Sequence, residues 1–105
     1  MSDDLRPTAG ARFLLEREDV AADQRRARYR ARVLTPEATY TYAGDLVAGD
    51  EPALAPVGEP APPELADTLV MLARLTARGV DKRLADGMPP WPERVLRWRG
   101  PGRGG

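Results

Sequence analysis

Two segments of alternating side chains, joined by a turn signal, constrain the fold of this chain most. In residues 27–34 small or apolar side chains alternate with arginine, and in residues 39–42 threonine alternates with tyrosine. Such alternation is typical of a strand with one buried face, and the proline within residues 35–38 fixes φ for a type I turn. The pattern predicts an antiparallel hairpin with two opposed pairs, Val33 with Tyr40 and Ala31 with Tyr42.

Three further segments carry secondary-structure signals. Residues 11–18 alternate and predict a first strand. Residues 63–78 repeat leucine at helical spacing after a proline and a glutamate that suit the first helical turn, which predicts a long helix. Gly79 is placed as its left-handed terminator. Residues 94–99 alternate and predict a last strand, although a helix that begins at Pro92 is the competing interpretation.

The order of these elements predicts a two-layer α+β domain, in which a three-stranded antiparallel meander is followed by one long helix and a fourth strand, βββαβ. We expect the last strand to lie parallel to the first and beside it, which gives the sheet order 3-2-1-4. A chain of 105 residues holds at most one such domain, and we place it at residues 11–99. A proline-rich loop at residues 45–63 interrupts it, and residues 1–10 and 100–105 are expected to be flexible tails.

The side-chain inventory argues against most catalysis. The chain has no cysteine and no histidine, and its one serine, Ser2, lies in the expected N-terminal tail. Thiolate and imidazole chemistry are therefore excluded, together with the triads that depend on them. Carboxylates remain as the only candidate catalysts, so a carboxylate- or magnesium-dependent enzyme is the third functional hypothesis. We predict no cofactor and no metal site.

The charge balance and the hydropathy pattern indicate the cellular location of the chain and argue against some classes of partner. Sixteen basic and sixteen acidic residues give a formal net charge of +0, which provides no global attraction to nucleic acid or acidic lipid. No run approaches the ~18 apolar residues that cross a bilayer, and the acidic N-terminus lacks the features of a secretory signal. We expect a cytoplasmic protein, from a bacterium with a GC-rich genome, that does not bind membranes.

The arginines of the second strand have two interpretations. Arg28, Arg30 and Arg32 project from one face and could bind phosphates. Alternatively they pair across the sheet with acids of the first strand, with Glu18 opposite Arg28 and Glu16 opposite Arg30. The pairing interpretation is favoured, because the same register also buries the apolar residues of both strands.

The C-terminal run is the best sequence candidate for a binding site. Arg94, Arg97 and Arg99 surround Trp98, and this combination can stack on unpaired bases while the guanidinium groups hold the backbone. The alternative is that Trp98 is a core residue of the last strand and that Trp91 packs on neighbouring prolines. A chain with few aromatic residues ordinarily uses its tryptophans for burial.

Self-association is suggested by two further features. The helix is apolar over more than half of its circumference, which would leave Val70 and Met71 partly exposed in a monomer. Between Val33 and Ala73 there are seven acids and no lysine or arginine, while the flanking segments are rich in arginine. The first hypothesis is therefore a non-enzymatic protein-interaction domain that binds itself or another protein and forms a homodimer. The alternative is a domain that binds single-stranded nucleic acid through the arginines and Trp98.

Overall fold

The computed structural model describes residues 7–100, which form one sheet with a long bent helix packed on one face. The strands are β1 (Ala11–Val20), β2 (Arg26–Leu34), β3 (Thr39–Val47), β4 (Ala53–Pro56) and β5 (Arg94–Arg99). The helices are α1 (Pro63–Arg78) and α2 (Val80–Ala85). The α+β class, the bounds of the long helix and the last strand are as predicted, and the competing helix at Pro92 is not formed.

The sheet has the order β4-β3-β2-β1-β5, and every neighbouring pair is antiparallel. The predicted meander and the position of the last strand beside the first are confirmed. Two expectations are wrong: the described part of the chain has five strands instead of four, and the last strand is antiparallel to the first. Both differences have one cause, because β4 forms inside the predicted loop 45–63 and reverses the chain once more before the helix.

The hairpin of β2 and β3 has the predicted register. Ala31 lies opposite Tyr42 and Val33 lies opposite Tyr40. The turn is closed by a hydrogen bond from the backbone N–H of Thr35 to the carbonyl of Ala38, with an N···O distance of 2.9 Å. The alternation of apolar and arginine side chains therefore determines which face of the sheet is buried.

The core lies between one face of the sheet and the helix. Apolar side chains of β1, β2 and β3 meet a helical stripe of small and large residues at i, i+4 and i+8 spacing, which brings them onto one face. The main contributors are Phe13, Leu15, Tyr29, Val33, Leu46, Leu69, Ala73 and Ala77. Alanine at two of the three helix positions lets the helix approach the sheet closely. The opposite face of the sheet also buries Leu14, which is 0% exposed and lies outside this core cluster.

The prediction that Gly79 ends the helix in a left-handed conformation is wrong. The φ of Gly79 is −78°, and Arg83 N–H donates to its carbonyl at 3.0 Å, so the helical path continues with a bend into α2. The left-handed glycine comes later, because Gly87 follows α2 with a φ of +75°. The helical path therefore continues past the predicted end at Gly79, and α2 lies beside the start of the last strand.

The described residues that precede β1 contact the last strand. Pro7 is buried, and the carbonyl of Ala9 accepts a hydrogen bond from the indole N–H of Trp98 at 3.2 Å. Residues 1–6 and 101–105, which make up most of the predicted tails, lie outside the described residues. Among residues 7–100, no helix combines the length and apolar character needed to span a membrane.

Candidate functional site

Three of the four arginines of β2, Arg28, Arg30 and Arg32, are paired with acids, as the favoured interpretation expects. Arg32 Nη2 lies 3.2 Å from a Glu16 carboxylate oxygen, and Arg30 Nε lies 3.0 Å from Glu18. Arg28 approaches two acids, one on β3 at 3.3 Å and one on β1 at 3.7 Å. These guanidinium groups are therefore already matched with carboxylates.

The register of β1 and β2 differs in one detail from the predicted one. Glu16 lies opposite Arg30 as expected, but an irregularity between Arg17 and Asp19 places Asp19 opposite Arg28. Glu18 is the extra residue of this bulge. Its carboxylate consequently lies between two arginines and contacts both of them.

The two tryptophans have opposite environments. Trp91 is 1% exposed and belongs to the core, whereas Trp98 is 57% exposed. The predicted burial is therefore right for Trp91, whose ring contacts Tyr29, and wrong for Trp98. The physical reason is the parity of β5: Leu96 and Trp98 share the face of the sheet away from the helix, while Val95 packs against the core.

Strand β5 is an edge of the sheet, and five of its six residues are exposed. It pairs on one side with β1, from Ala11 opposite Arg99 to Glu16 opposite Arg94. Leu96 is 37% exposed and lies next to the buried Leu14. The exposed apolar side chains of the edge are therefore continuous with a buried apolar position of the sheet.

A groove of about 330 Å³ runs between β5 and the helical segment. Leu72 and Leu75 form part of its helical wall, and Val95 contributes from the strand. Three arginines are the charged residues of its lining, and none of the described residues that line it is acidic. These arginines are Arg83, Arg94 and Arg97.

The arginines around this groove differ from Arg28, Arg30 and Arg32 of β2 in having no acidic partner. No ion pair joins Arg83, Arg94, Arg97 or Arg99 to a carboxylate of residues 7–100, whereas seven ion pairs form elsewhere in that part of the chain. Arg97 instead donates to the backbone carbonyl of Leu96 at 2.9 Å. These four guanidinium groups therefore have no ion-pair partner among the described residues. We call β5 together with Leu72, Leu75 and Arg83 the β5 surface.

The helix flank predicted for self-association is partly exposed. Met71 is 42% exposed and Val70 is half-buried. Leu75 is the more exposed helix residue at 55%, and it follows Met71 by one turn on the same face. The exposed apolar side of the helix therefore leads into the groove wall of the β5 surface.

Sequence reasoning found the arginines and Trp98 of β5 but missed the helical half of the site. Leu72, Thr76, Gly79 and Arg83 all line the groove, at spacings of four, three and four residues. This spacing places them on one helical face only if the helix continues past Gly79. The signal was therefore present, but the expected termination at Gly79 concealed it.

Neither metal chemistry nor a known family provides a further assignment. Within the described range, no group of three or more carboxylates is arranged to hold a metal ion. Comparison of the chain with protein-family models, with curated proteins and with solved structures finds no match. The arrangement of residues in the β5 surface is therefore the basis for a functional proposal.

Proposed function

We propose that this chain is a protein-interaction domain and that it binds its partner through the β5 surface. The observation that carries the proposal is the exposure of Trp98 beside arginines without acidic partners at an open edge of the sheet. Tryptophan and arginine are the residues most enriched among those that dominate binding energy at protein interfaces. Exposed together, they favour recognition over packing.

The distribution of ion pairs supports a partner that is acidic. Three arginines of β2 and one of α1 are paired within the chain, for example Arg74 with Glu51 at 2.9 Å. This contact, through the hydrogen bond and the positive charge of Arg74, lowers the pKa of Glu51. The β5 surface lacks such internal pairs, so a carboxylate from outside can approach its arginines without displacing one already bound.

Self-association through Val70 and Met71 remains a prediction from the sequence, and a second copy fits the β5 surface poorly. Pairing two β5 strands would bring the arginines of both copies, three from each, along one ribbon that contains no acid. Like charges on adjacent strands destabilise their pairing. A different protein that supplies acids satisfies the same surface better.

Binding of single-stranded nucleic acid is the second candidate, and the exposed Trp98 favours it. An indole ring among guanidinium groups can stack on an unpaired base while the phosphates contact arginine. This alternative does not explain the apolar wall of the groove, because the side chains of Leu72 and Leu75 have no charge or hydrogen-bond donor for a phosphate. We therefore rank it below a protein partner.

A photo-crosslinking experiment distinguishes these candidates. A benzoylphenylalanine replaces Trp98 in one variant and Val57 in the control, because Val57 is equally exposed at 59% and follows the opposite edge strand. Irradiation in cells of the native host is expected to give an adduct with another protein from position 98 only. The adduct is expected to disappear when Arg97 and Arg99 are changed to glutamate and to persist in Arg26→Glu.

Each other outcome has a defined meaning. An adduct removed by nuclease would assign the surface to nucleic acid and overturn the proposal. Equal adducts from positions 98 and 57, or none, would also overturn it. An adduct of two copies of the chain would support an interaction domain but contradict an acidic partner of different sequence.

A further inference from the structure

We infer that the β5 surface binds an extended acidic segment of its partner as an added strand, an inference that rests on the proposed function. The added strand would pair with the open side of β5 and place its acids beside the arginines of the groove. In this mode backbone hydrogen bonds provide affinity and alternate side chains provide specificity. The argument depends on which backbone groups of β5 point away from β1.

The hydrogen-bond parity of β5 identifies those groups. The backbone N–H of Arg17 donates to the carbonyl of Glu93 at 2.9 Å, so this opposed pair is hydrogen-bonded. Opposed residues in an antiparallel ladder alternate between hydrogen-bonded and non-hydrogen-bonded pairs. The backbone groups of residues 95, 97 and 99 therefore point to β1, and those of residues 94, 96 and 98 point outward.

One side-chain contact agrees with this parity. The Arg97 guanidinium donates to the carbonyl oxygen of Leu96 at 2.9 Å. The carbonyl group of Leu96 therefore points away from β1, and in the unbound chain it accepts a hydrogen bond from a side chain. An incoming backbone N–H would take the place of the guanidinium, which would then be available for an acid.

The other edge of the sheet is protected against such pairing. The backbone N–H of Val57 donates to the carbonyl of Thr41 at 2.7 Å, so the same alternation directs Pro52, Leu54 and Pro56 outward. Proline has no N–H to offer an incoming strand and is a common protection of sheet edges. Only Leu54 presents a donor there, whereas β5 presents three, and this asymmetry assigns strand addition to β5.

The side chains of β5 define the pattern that an added strand would need. Arg97 and Arg99 lie on the helix side of the sheet, where Arg83 also faces the groove. Leu96 and Trp98 lie on the opposite side, which Arg94 shares at the start of the strand. A strand with acids at alternate positions and apolar residues between them would place its acids by the arginines and its apolar side chains by the leucine and the indole.

A synthetic probe tests this inference directly. The probe is a peptide of alternating glutamate and apolar residues that carries fluorescein on its N-terminus, fluoresceinyl-Glu-Leu-Glu-Val-Glu-Leu-Glu-amide, and binding is followed by fluorescence anisotropy at low salt. Two further probes carry N-methyl groups on the amides of either the glutamates or the apolar residues. We expect one methylated series to bind about tenfold more weakly and the other to bind unchanged, since alternate N–H groups of an added strand face β5.

A pair of proline variants tests the protein side of the same contact. Leu96→Pro removes an outward N–H from β5 and Leu54→Pro removes one from β4, and neither N–H bonds within the sheet by the parity above. We expect Leu96→Pro to weaken binding of the unmethylated probe by about tenfold and Leu54→Pro to leave it unchanged. Because the methylated probes use the unaltered chain, a folding defect in Leu96→Pro does not remove the test.

The outcomes separate this inference from the proposed function. Equal binding of both methylated series would overturn strand addition. It would do so even if Arg97→Glu weakened the binding of the unmethylated probe. Absence of probe binding at millimolar concentration, with a specific adduct from position 98, would overturn the acidic extended segment and leave the interaction surface. Absence of both would overturn both proposals.

Discussion

Trp91 packs on Tyr29, with ring centroids 6.1 Å apart, at the point where the chain leaves the helical segment to enter β5. The indole N–H of Trp91 donates to the carbonyl of Gln24 at 2.9 Å, and the hydroxyl of Tyr29 donates to the carbonyl of Pro92. These contacts fix the residues before β5 against the core. They explain how a strand whose own side chains are mostly exposed keeps its position.

The two tryptophans are therefore expected to differ in their effect on stability. Trp91→Ala removes a fully buried ring and should lower the free energy of unfolding by about 3–5 kcal/mol. Trp98→Ala should lower it by about 1 kcal/mol or less, because the ring is mostly exposed and makes one hydrogen bond. Urea unfolding followed by circular dichroism measures both, and equal losses would contradict the assignment of Trp98 to the surface.

Tyr29 predicts a loss of stability at alkaline pH. Burial raises the pKa of its hydroxyl from 10.0 to about 12, although nearby Arg17 and Arg83 oppose the shift. In the unfolded chain the phenol ionises near its ordinary pKa, so between pH 10.0 and about 12 the unfolded state binds fewer protons than the folded state. The free energy of unfolding should fall as the pH rises through this window.

Denaturant unfolding across that pH range tests the prediction, with Tyr29→Phe as its control. The variant loses the hydrogen bond to Pro92 but has no phenol at this position to ionise, so the Tyr29 contribution to the pH dependence should be absent. If the natural chain and the variant lost stability in parallel, the buried phenol would not be the cause.

Much of the fold is predictable because local patterns and burial agree in it. Alternation and a proline turn determine the β2–β3 register, and leucine spacing determines α1. The additional strand, β4, was not predictable in this way. It contains Pro56 and follows Pro52, and prolines ordinarily argue against a strand. Both prolines have their nitrogen on the outward side of an edge, where no N–H is needed.

The close approach of β4 to β3 predicts the effect of a single methyl group. A Cβ at Gly44 would lie 2.0 Å from the carbonyl oxygen of Ala53, so the backbones must move apart to accept Gly44→Ala. We expect a loss of about 1–3 kcal/mol in the free energy of unfolding.

Gly79→Ala provides the matched control for that substitution. Gly79 has a φ of −78°, and the nearest atom to a Cβ there, apart from its chain neighbours, would be the carbonyl oxygen of Leu75 at 3.6 Å. Alanine should therefore stabilise the bend between the helices by about 0.4–1 kcal/mol, because it restricts the unfolded chain. Urea unfolding of both variants tests the pair, and a similar loss in both would contradict the difference in their surroundings.

The prolines of the β4 edge are expected to limit self-association. Replacing Pro52 and Pro56 with threonine would give three outward N–H groups in a row, together with Leu54. We expect the double variant to form larger species by edge pairing at concentrations where the natural chain does not. Sedimentation velocity detects such species. A double variant with Pro60→Thr and Pro89→Thr has the same number of substitutions and is the control. Unchanged sedimentation of the Pro52 and Pro56 variant would contradict the protective role of these two prolines.

The candidate site was predictable only in part. Composition and spacing drew attention to the arginines and Trp98 of β5. The strand register predicted that arginines of β2 pair with acids of β1, but it gave Glu16 to Arg30, whereas Glu16 pairs with Arg32. Whether Trp98 was buried depended on which face of β5 met the helix, and a sequence of alternating residues does not specify that. The groove depended on a helix that continues past Gly79, so its helical wall emerged only from the tertiary structure.

Hydrogen exchange in the unbound chain tests the central claim most directly, because it asks whether β5 is an open edge. Backbone amide exchange measured residue by residue by NMR should alternate along the strand, with slow exchange at Val95 and Arg97 and fast exchange at Arg94, Leu96 and Trp98. Equal protection of Leu96 and Trp98 with their neighbours would show that these amides already have partners, and it would contradict an edge available for an added strand.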